Sequence, residues 1–272
     1  MTIAVIWQED GFQWCAADTR LVAGDDVPTM EIAAKIYAIP VVTRALDSGL
    51  EPRQPHYWTQ YGFVYAGAAL PASMTAITAS TFLQNLARPG GLASPPTFEE
   101  ISELVHRLAK RFMEERRRFG GDGTFSAAFF GWCPHTMKYK IAHIDGRNDA
   151  GSFRVELSYP EPPETDGDPW LVLGSGAKSF ASTLEEYRKT EKFITKRIPR
   201  RVIDKMVADG QDRTVGGATS IGAAYKNGFE LFFAVEPVVQ GQPQARRIFN
   251  GLDLDYEVGQ IGEYVVAAKG LA

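Results

Sequence analysis

The sequence predicts an α+β fold in which β-sheets are stacked between layers of helix, and three observations carry that prediction. Strand-like and helix-like segments come in blocks, ordered strands, two helices, strands, two helices, strands, whereas a doubly wound parallel sheet would require them to alternate. Asp10-Gly11 and Lys226-Asn227-Gly228 are tight-turn signals that close antiparallel hairpins. A length of 272 residues with 44% hydrophobic content suffices for one large core. Residues 1–272 are therefore expected to form a single domain, with a C-terminal extension from about 237 to 272 packed on it.

The chain should open with strands at Thr2–Ile6 and Phe12–Ala17, joined through Asp10-Gly11. Further strands are expected near Lys35–Val42 and Tyr61–Ala66, separated by a polar loop, Thr43–Gln60. A first helix runs from about Pro71, a residue tolerated in a first helical turn, to Ala87, where Arg88-Pro89-Gly90-Gly91 stops it. The second helix is the clearest element. Thr97-Phe98-Glu99-Glu100 reads as a capping box, and Ile101, Leu104, Val105, Leu108, Phe112 and Met113 recur at helical spacing until Gly120-Gly121. Its Arg116, Arg117 and Arg118 suit the negative end of the helix dipole and read as a solvated helix end before they read as an anion site.

Strands resume at Phe125–Cys133, Lys138–Ile144 and Ser152–Tyr159, the last two divided by an expected Asp145-Gly146 turn. A short strand, Trp170–Leu173, leads through Gly174-Ser175-Gly176 into a helix, Ala177–Lys189, followed by another at about Arg200–Asp209. Ala218–Tyr225 and Glu230–Val235 form a hairpin. The tail offers one more expected strand pair, Leu254–Val258 with Glu263–Ala268, placed to cap a sheet or meet a neighbour.

Several function classes find no support. A formal net charge of −4 without a basic stripe gives no electrostatic footprint for nucleic acid or an anionic membrane. The opening residues lack a basic region followed by an apolar run, and no stretch of about 18 apolar residues occurs, so a soluble, unexported, cytoplasmic protein is expected. Cys15 and Cys133 each lie in an apolar segment and read as buried thiols. His56, His106, His135 and His143 show no metal-ligand spacing. No P-loop or dinucleotide fingerprint is present, so neither metal nor cofactor is expected.

Chemistry is concentrated at the start of the chain. Initiator methionine is normally removed before a small residue, which would leave Thr2 with a hydroxyl and a free α-amine. That amine titrates near neutrality and serves as a general base for an otherwise weak nucleophile. A hairpin centred on Asp10-Gly11 sets Thr2 opposite Asp18 or Thr19 and so brings a carboxylate alongside. Lys35, on the next strand, offers a cation that favours the deprotonated hydroxyl. Each of these residues also has a plain structural explanation: a common second residue, a strand-end acid, a surface charge.

Taken together, Thr2-Ile3-Ala4-Val5, Asp10-Gly11, Ala16-Ala17-Asp18-Thr19-Arg20 and Ala34-Lys35-Ile36 resemble the opening of proteasome β subunits and their bacterial relatives among the N-terminal-nucleophile hydrolases. The resemblance implies a four-layer αββα sandwich and a threonine-type endopeptidase. It makes Thr2 the nucleophile, Asp18 the acid orienting Lys35, Lys35 the cation that lowers the hydroxyl's pKa, and Arg20 a buttress. Ala66-Gly67-Ala68-Ala69 matches the turn that supplies an oxyanion N–H, from Gly67. Ser175 and Asp212 match a serine and a second aspartate near the terminal amine. Val215 departs from the pattern, which has serine before the Gly-Gly pair. The resemblance further implies a peptide or unfolded-protein substrate and a homo-oligomer, and it allows an ATPase partner. A non-catalytic structural subunit and a small-molecule amidase or acylase are the alternatives.

Overall fold

The computed structural model describes residues 2–46, 54–88, 94–149, 152–190, 196–210, 212–236, 245–267 and 269–271. In chain order the elements are β1 (Ala4–Glu9), β2 (Phe12–Asp18), β3 (Leu21–Val22), β4 (Pro28–Met30), β5 (Ile36–Ala45), β6 (Tyr57–Gly67), α1 (Ala69–Leu83), β7 (Leu86–Arg88) and α2 (Phe98–Arg118). There follow β8 (Phe125–Cys133), β9 (Lys138–Asp149), β10 (Ser152–Ser158), β11 (Pro169–Leu173), α3 (Ala177–Thr190) and α4 (Ile198–Asp209). The chain then forms β12 (Thr219–Tyr225), β13 (Gly228–Glu236), β14 (Arg246–Phe249), β15 (Leu252–Asp253), β16 (Gln260–Ile261), β17 (Tyr264–Val265) and β18 (Lys269–Leu271). This α+β set divides into two compact units. The first comprises Met1–Ile36, Pro162–Ala223 and Leu231–Ala272; the second comprises Tyr37–Glu161 and Ala224–Glu230.

The first unit is organised on a sheet of order β11-β1-β2-β12-β13-β14-β15, with β18 running parallel to β13. Asp10 (φ 54°) and Gly11 (φ 76°) both adopt the left-handed conformation that a two-residue hairpin turn of the I′ type demands. The turn fixes a register from Glu9↔Phe12 to Ala4↔Ala17. Ala4, Val5, Ile6 and Trp7 are all buried, so both faces of β1 are covered. On one side α4 packs against β1 and β2, with α3 against α4.

In the second unit, a sheet of order β10-β9-β8-β6-β5-β7 carries α1 and α2 packed side by side on it. The predicted capping box forms: Thr97 Oγ1 accepts from the Glu100 N–H at 3.2 Å, and the Glu100 carboxylate accepts from the Thr97 N–H at 2.8 Å. The buried stripe of α2 meets the sheet through Phe98, whose ring centroid lies 5.7 Å from that of Tyr61 and 5.5 Å from that of Phe129. Fully burying one such ring contributes about 1.5–3 kcal/mol.

Four sequence expectations are corrected. The first helix stops at Leu83, not Ala87, because Gln84 and Asn85 turn their side chains back onto the Ser80 and Thr81 carbonyls, each at 2.8 Å. Leu86–Arg88 then pair in parallel with Thr43–Ala45 as β7, a partner that local sequence does not reveal. The expected stop at residues 89–91 lies outside the described residues.

Asp145-Gly146 is not a turn. Both residues continue β9 opposite Glu156 and Val155. Gly146 is required by α2: a Cβ there would lie 2.4 Å from the Met113 sulfur. The Thr43–Gln60 loop is shorter at both ends, since β5 reaches Ala45 and β6 starts at Tyr57; residues 47–53 are not described.

In the tail, Leu254–Val258 is a π-helical turn and not a strand. The Asp253 carboxylate accepts from the Asp255 and Tyr256 N–H groups, and Glu257 reaches back to the Asp253 N–H at 2.7 Å. This local side-chain capping competes successfully with extended backbone. Tyr264–Val265 pairs with Gln260–Ile261, while Ala268 is outside the described residues. Among the described residues no helix is long and apolar enough to cross a membrane.

Candidate active site

Register alone assembles the first part of the site. Carrying Ala4↔Ala17 past the strand ends sets Thr19 across from Thr2 and Asp18 across from Ile3. Carrying Ala4↔Leu173 in the same way sets Ser175 on the other flank of Thr2. The Asp18 N–H donates to the Ile3 carbonyl at 3.2 Å and the Gly176 N–H to the Thr2 carbonyl at 3.4 Å, so both flanks are tied to the first residues of the chain.

Lys35 enters from the residue before β5, and its side chain is fully buried. Its Nζ donates to Thr2 Oγ1 at 2.6 Å and to Asp18 Oδ1 at 2.7 Å. Asp18 also accepts from the Ile3 N–H on Oδ1 and from the Gly216 N–H on Oδ2, both at 3.1 Å. Burial pushes the Asp18 carboxyl up from its ordinary value, opposed by the charge and hydrogen bond of Lys35 and by the two backbone N–H groups. Burial likewise pushes the Lys35 ammonium down, opposed by Asp18 and, more weakly, by Glu31, while Arg20 adds to the lowering. The two proton affinities are thus drawn toward each other, and a polarising cation sits against the threonine oxygen.

A loop holds this cluster from below. Arg20 donates through Nε to the Glu31 carboxylate at 3.0 and 3.1 Å and through Nη1 to the Arg213 and Val215 carbonyls at 3.0 and 3.2 Å. A Cβ at Gly216 would lie 2.2 Å from the Arg20 guanidinium carbon. At Gly217, where φ is +76°, it would lie 2.3 Å from the Glu31 carbonyl oxygen. The glycine pair is therefore demanded by this clamp, and the clamp presents the Gly216 N–H to Asp18. Arg20 acts at one remove, through residues 213–216.

The remaining predicted residues are placed differently. The Asp212 carboxylate accepts from the Thr214 N–H at 3.0 Å and from the Thr214 hydroxyl, shaping the entry to the loop. Ser175 is exposed and, with Asp212, Thr214, Ser179 and Asp209, lines a cavity of about 570 Å³ in the first unit. Gly67 belongs to the second unit, at the end of β6. Its left-handed φ of 112° and the Thr124 carbonyl, 2.8 Å from where a Cβ would sit, account for glycine there. Val215 is buried, with its Cγ2 3.1 Å from where a Gly176 Cβ would lie.

Thr19 is read from sequence only as a neighbour of Thr2, and Glu31 is not singled out at all. Thr19 Oγ1 accepts from the Ala218 N–H at 2.7 Å and donates to the Glu31 carbonyl, and Glu31 partners Arg20. The hairpin register points to Thr19, whereas the sole sequence signal for Glu31 is the Gly216-Gly217 pair it packs against. Among the described residues no group of His, Cys, Asp and Glu is arranged to hold a metal ion.

No family model and no curated protein matches this chain. Two solved structures of Anbu from Hyphomicrobium sp. strain MC1 share its fold. One, described as a Gly-1 mutant, has a TM-score of 0.54 at 16% identity over 92% of this chain and 87% of that one. The second has a TM-score of 0.52 at 15% identity over 91% and 87%. Anbu is a proteasome-related protein of the N-terminal-nucleophile hydrolase fold, and at this identity the similarity speaks to the fold alone. It corrects the resemblance to proteasome β subunits: the likeness found runs to Anbu.

Proposed function

We propose that this chain is a threonine-type N-terminal-nucleophile hydrolase that cleaves peptide or related amide bonds. One observation carries the reading: a fully buried Lys35 ammonium held between Thr2 Oγ1 and Asp18. The Anbu-like fold supports it, and the four-layer αββα architecture is part of the same proposal.

In this mechanism removal of Met1 frees the Thr2 amine. The hydroxyl oxygen attacks the substrate carbonyl carbon while its proton passes to that amine, directly or through water. The adjacent ammonium stabilises the charge developing on the oxygen, and Asp18 holds the ammonium in place. The amine then returns its proton to the leaving nitrogen as the C–N bond breaks, and water hydrolyses the resulting ester. With Met1 retained, the Thr2 nitrogen is an amide without a basic lone pair, so this route is closed.

The test is intact mass spectrometry of the purified protein before and after a β-lactone acylating agent. Loss of Met1 and a single adduct on Thr2 are expected, with Thr2→Ser still labelled and Thr2→Ala unlabelled. Equal labelling of Thr2→Ala and wild type removes Thr2 from the chemistry. Absence of any adduct on Met1-free protein favours a non-catalytic structural subunit instead.

A further inference from the structure

Two exposed apolar surfaces on this chain have no role in the cluster around Thr2. The first is the hairpin of β16 and β17. Every residue from Gln260 to Val265 is exposed. Ile261 and Tyr264 stand directly opposite each other and so share one face, and Tyr256, on the π-helical turn just before, is 89% exposed. A two-stranded hairpin is at best marginally stable alone in water. From Leu254 to Ala267 there is no Lys or Arg; Asp255 pairs with Arg247 and Glu257 accepts from the Asp253 N–H, so the acid that the hairpin itself presents is Glu263.

The second surface is the groove between α1 and α2. It encloses about 350 Å³, lined by Leu70, Met74, Phe112, Glu115, Arg116 and Phe119 among others. Leu70 is 62% exposed and Phe119 73%, and Ile77 and Phe82 extend the apolar strip along α1. All 15 residues of α1 are uncharged, so no charge on α1 interrupts the strip. At the groove's end α2 contributes Arg116, Arg117 and Arg118, while Glu115 pairs with Arg111 on its own helix.

We infer that the β16–β17 hairpin of one copy docks in the α1–α2 groove of a second copy. Apolar side chains meet an apolar channel, and Glu263 meets the basic end of α2. The two surfaces are different patches of the same chain, so the contact is heterologous. Repetition of such a contact closes into a ring or continues as a helix of subunits.

The experiment uses the full chain in sedimentation velocity with light scattering. The arm variant is Ile261→Asp/Tyr264→Asp and the groove variant Leu70→Asp/Met74→Asp; unchanged far-UV circular dichroism shows that each is folded. Wild type is expected to assemble, and each variant to have its dissociation constant raised about 30-fold or more, the loss of one central anchor. An equimolar mixture of the two variants retains one good groove and one good arm, and is expected to stop at dimers. Should the substitutions unfold the chain, Glu263→Arg and Arg116→Glu serve in their place: each weakens assembly and the mixture restores it. A monomeric wild type, variants that assemble like wild type, or a mixture that stays monomeric would overturn the inference.

Discussion

Replacing Asp18 with asparagine keeps the shape of the side chain and removes its charge, leaving the Lys35 ammonium fully buried without its ionic partner. Breaking a buried ion pair from one side costs about 3–5 kcal/mol. An independent bound comes from titration. If the stranded lysine sheds its proton, the cost at pH 7 from an unfolded value near 10.4 is at most about 4.6 kcal/mol.

The two routes agree, and the second fixes the sign with pH. Burial already lowers the Lys35 value in the folded protein, and Asp18 is the main group opposing that shift. Its removal deepens the depression. A depressed folded value means stability that is full above the unfolded pKa and lost as pH falls toward the folded one. The Asp18→Asn protein should therefore be strongly destabilised relative to wild type at pH 7 and recover as pH rises toward about 10. Urea denaturation followed by the intrinsic fluorescence of the five tryptophans, Trp7 and Trp14 among them, measures this. Adding Lys35→Met to Asp18→Asn removes the stranded charge and should restore most of the loss. A cost below about 1 kcal/mol for Asp18→Asn at pH 7, flat with pH, would refute the claim that a charged pair is buried here.

Gly217→Ala places a Cβ 2.3 Å from the Glu31 carbonyl at a φ of +76°. It should lower stability by about 1–3 kcal/mol, and acylation of Thr2 should fall with it, because the same loop carries the Gly216 N–H to Asp18. Parallel melting and labelling assays read both. Gly146→Ala collides with the Met113 sulfur and should cost about 1–3 kcal/mol by chemical denaturation, with Met113→Ala in the same chain recovering part of it.

How much of this was legible in sequence follows from the range of each interaction. The Asp10-Gly11 turn set the register of the first hairpin, and register set Asp18 beside the start of the chain, so that neighbourhood was readable from local rules. Lys35 required the resemblance, since nothing in its own segment distinguishes a buried lysine from a surface one. The Thr19–Glu31–Ala218 contacts join separate loops and left no periodic trace. Asp145-Gly146 misled because glycine serves two purposes: the same residue that permits a turn also makes room, here for Met113. Leu86–Arg88 misled in a related way, taking its conformation from β5 across the sheet and not from its own composition.

The edge of β13 is finished late. Ala234 is already met by Ile248 of β14, but Phe232 and Phe233 find their parallel partner only in Lys269 and Gly270, after the chain has laid down β14, β15, the π-helical turn and the hairpin. As the protein emerges from the ribosome, the backbone donors and acceptors of Phe232 and Phe233 on that edge stay open to any passing strand until β18 arrives. Synthesis of this chain thus has a vulnerable interval set by topology, during which a chaperone that shields strand edges would improve the yield of folded protein.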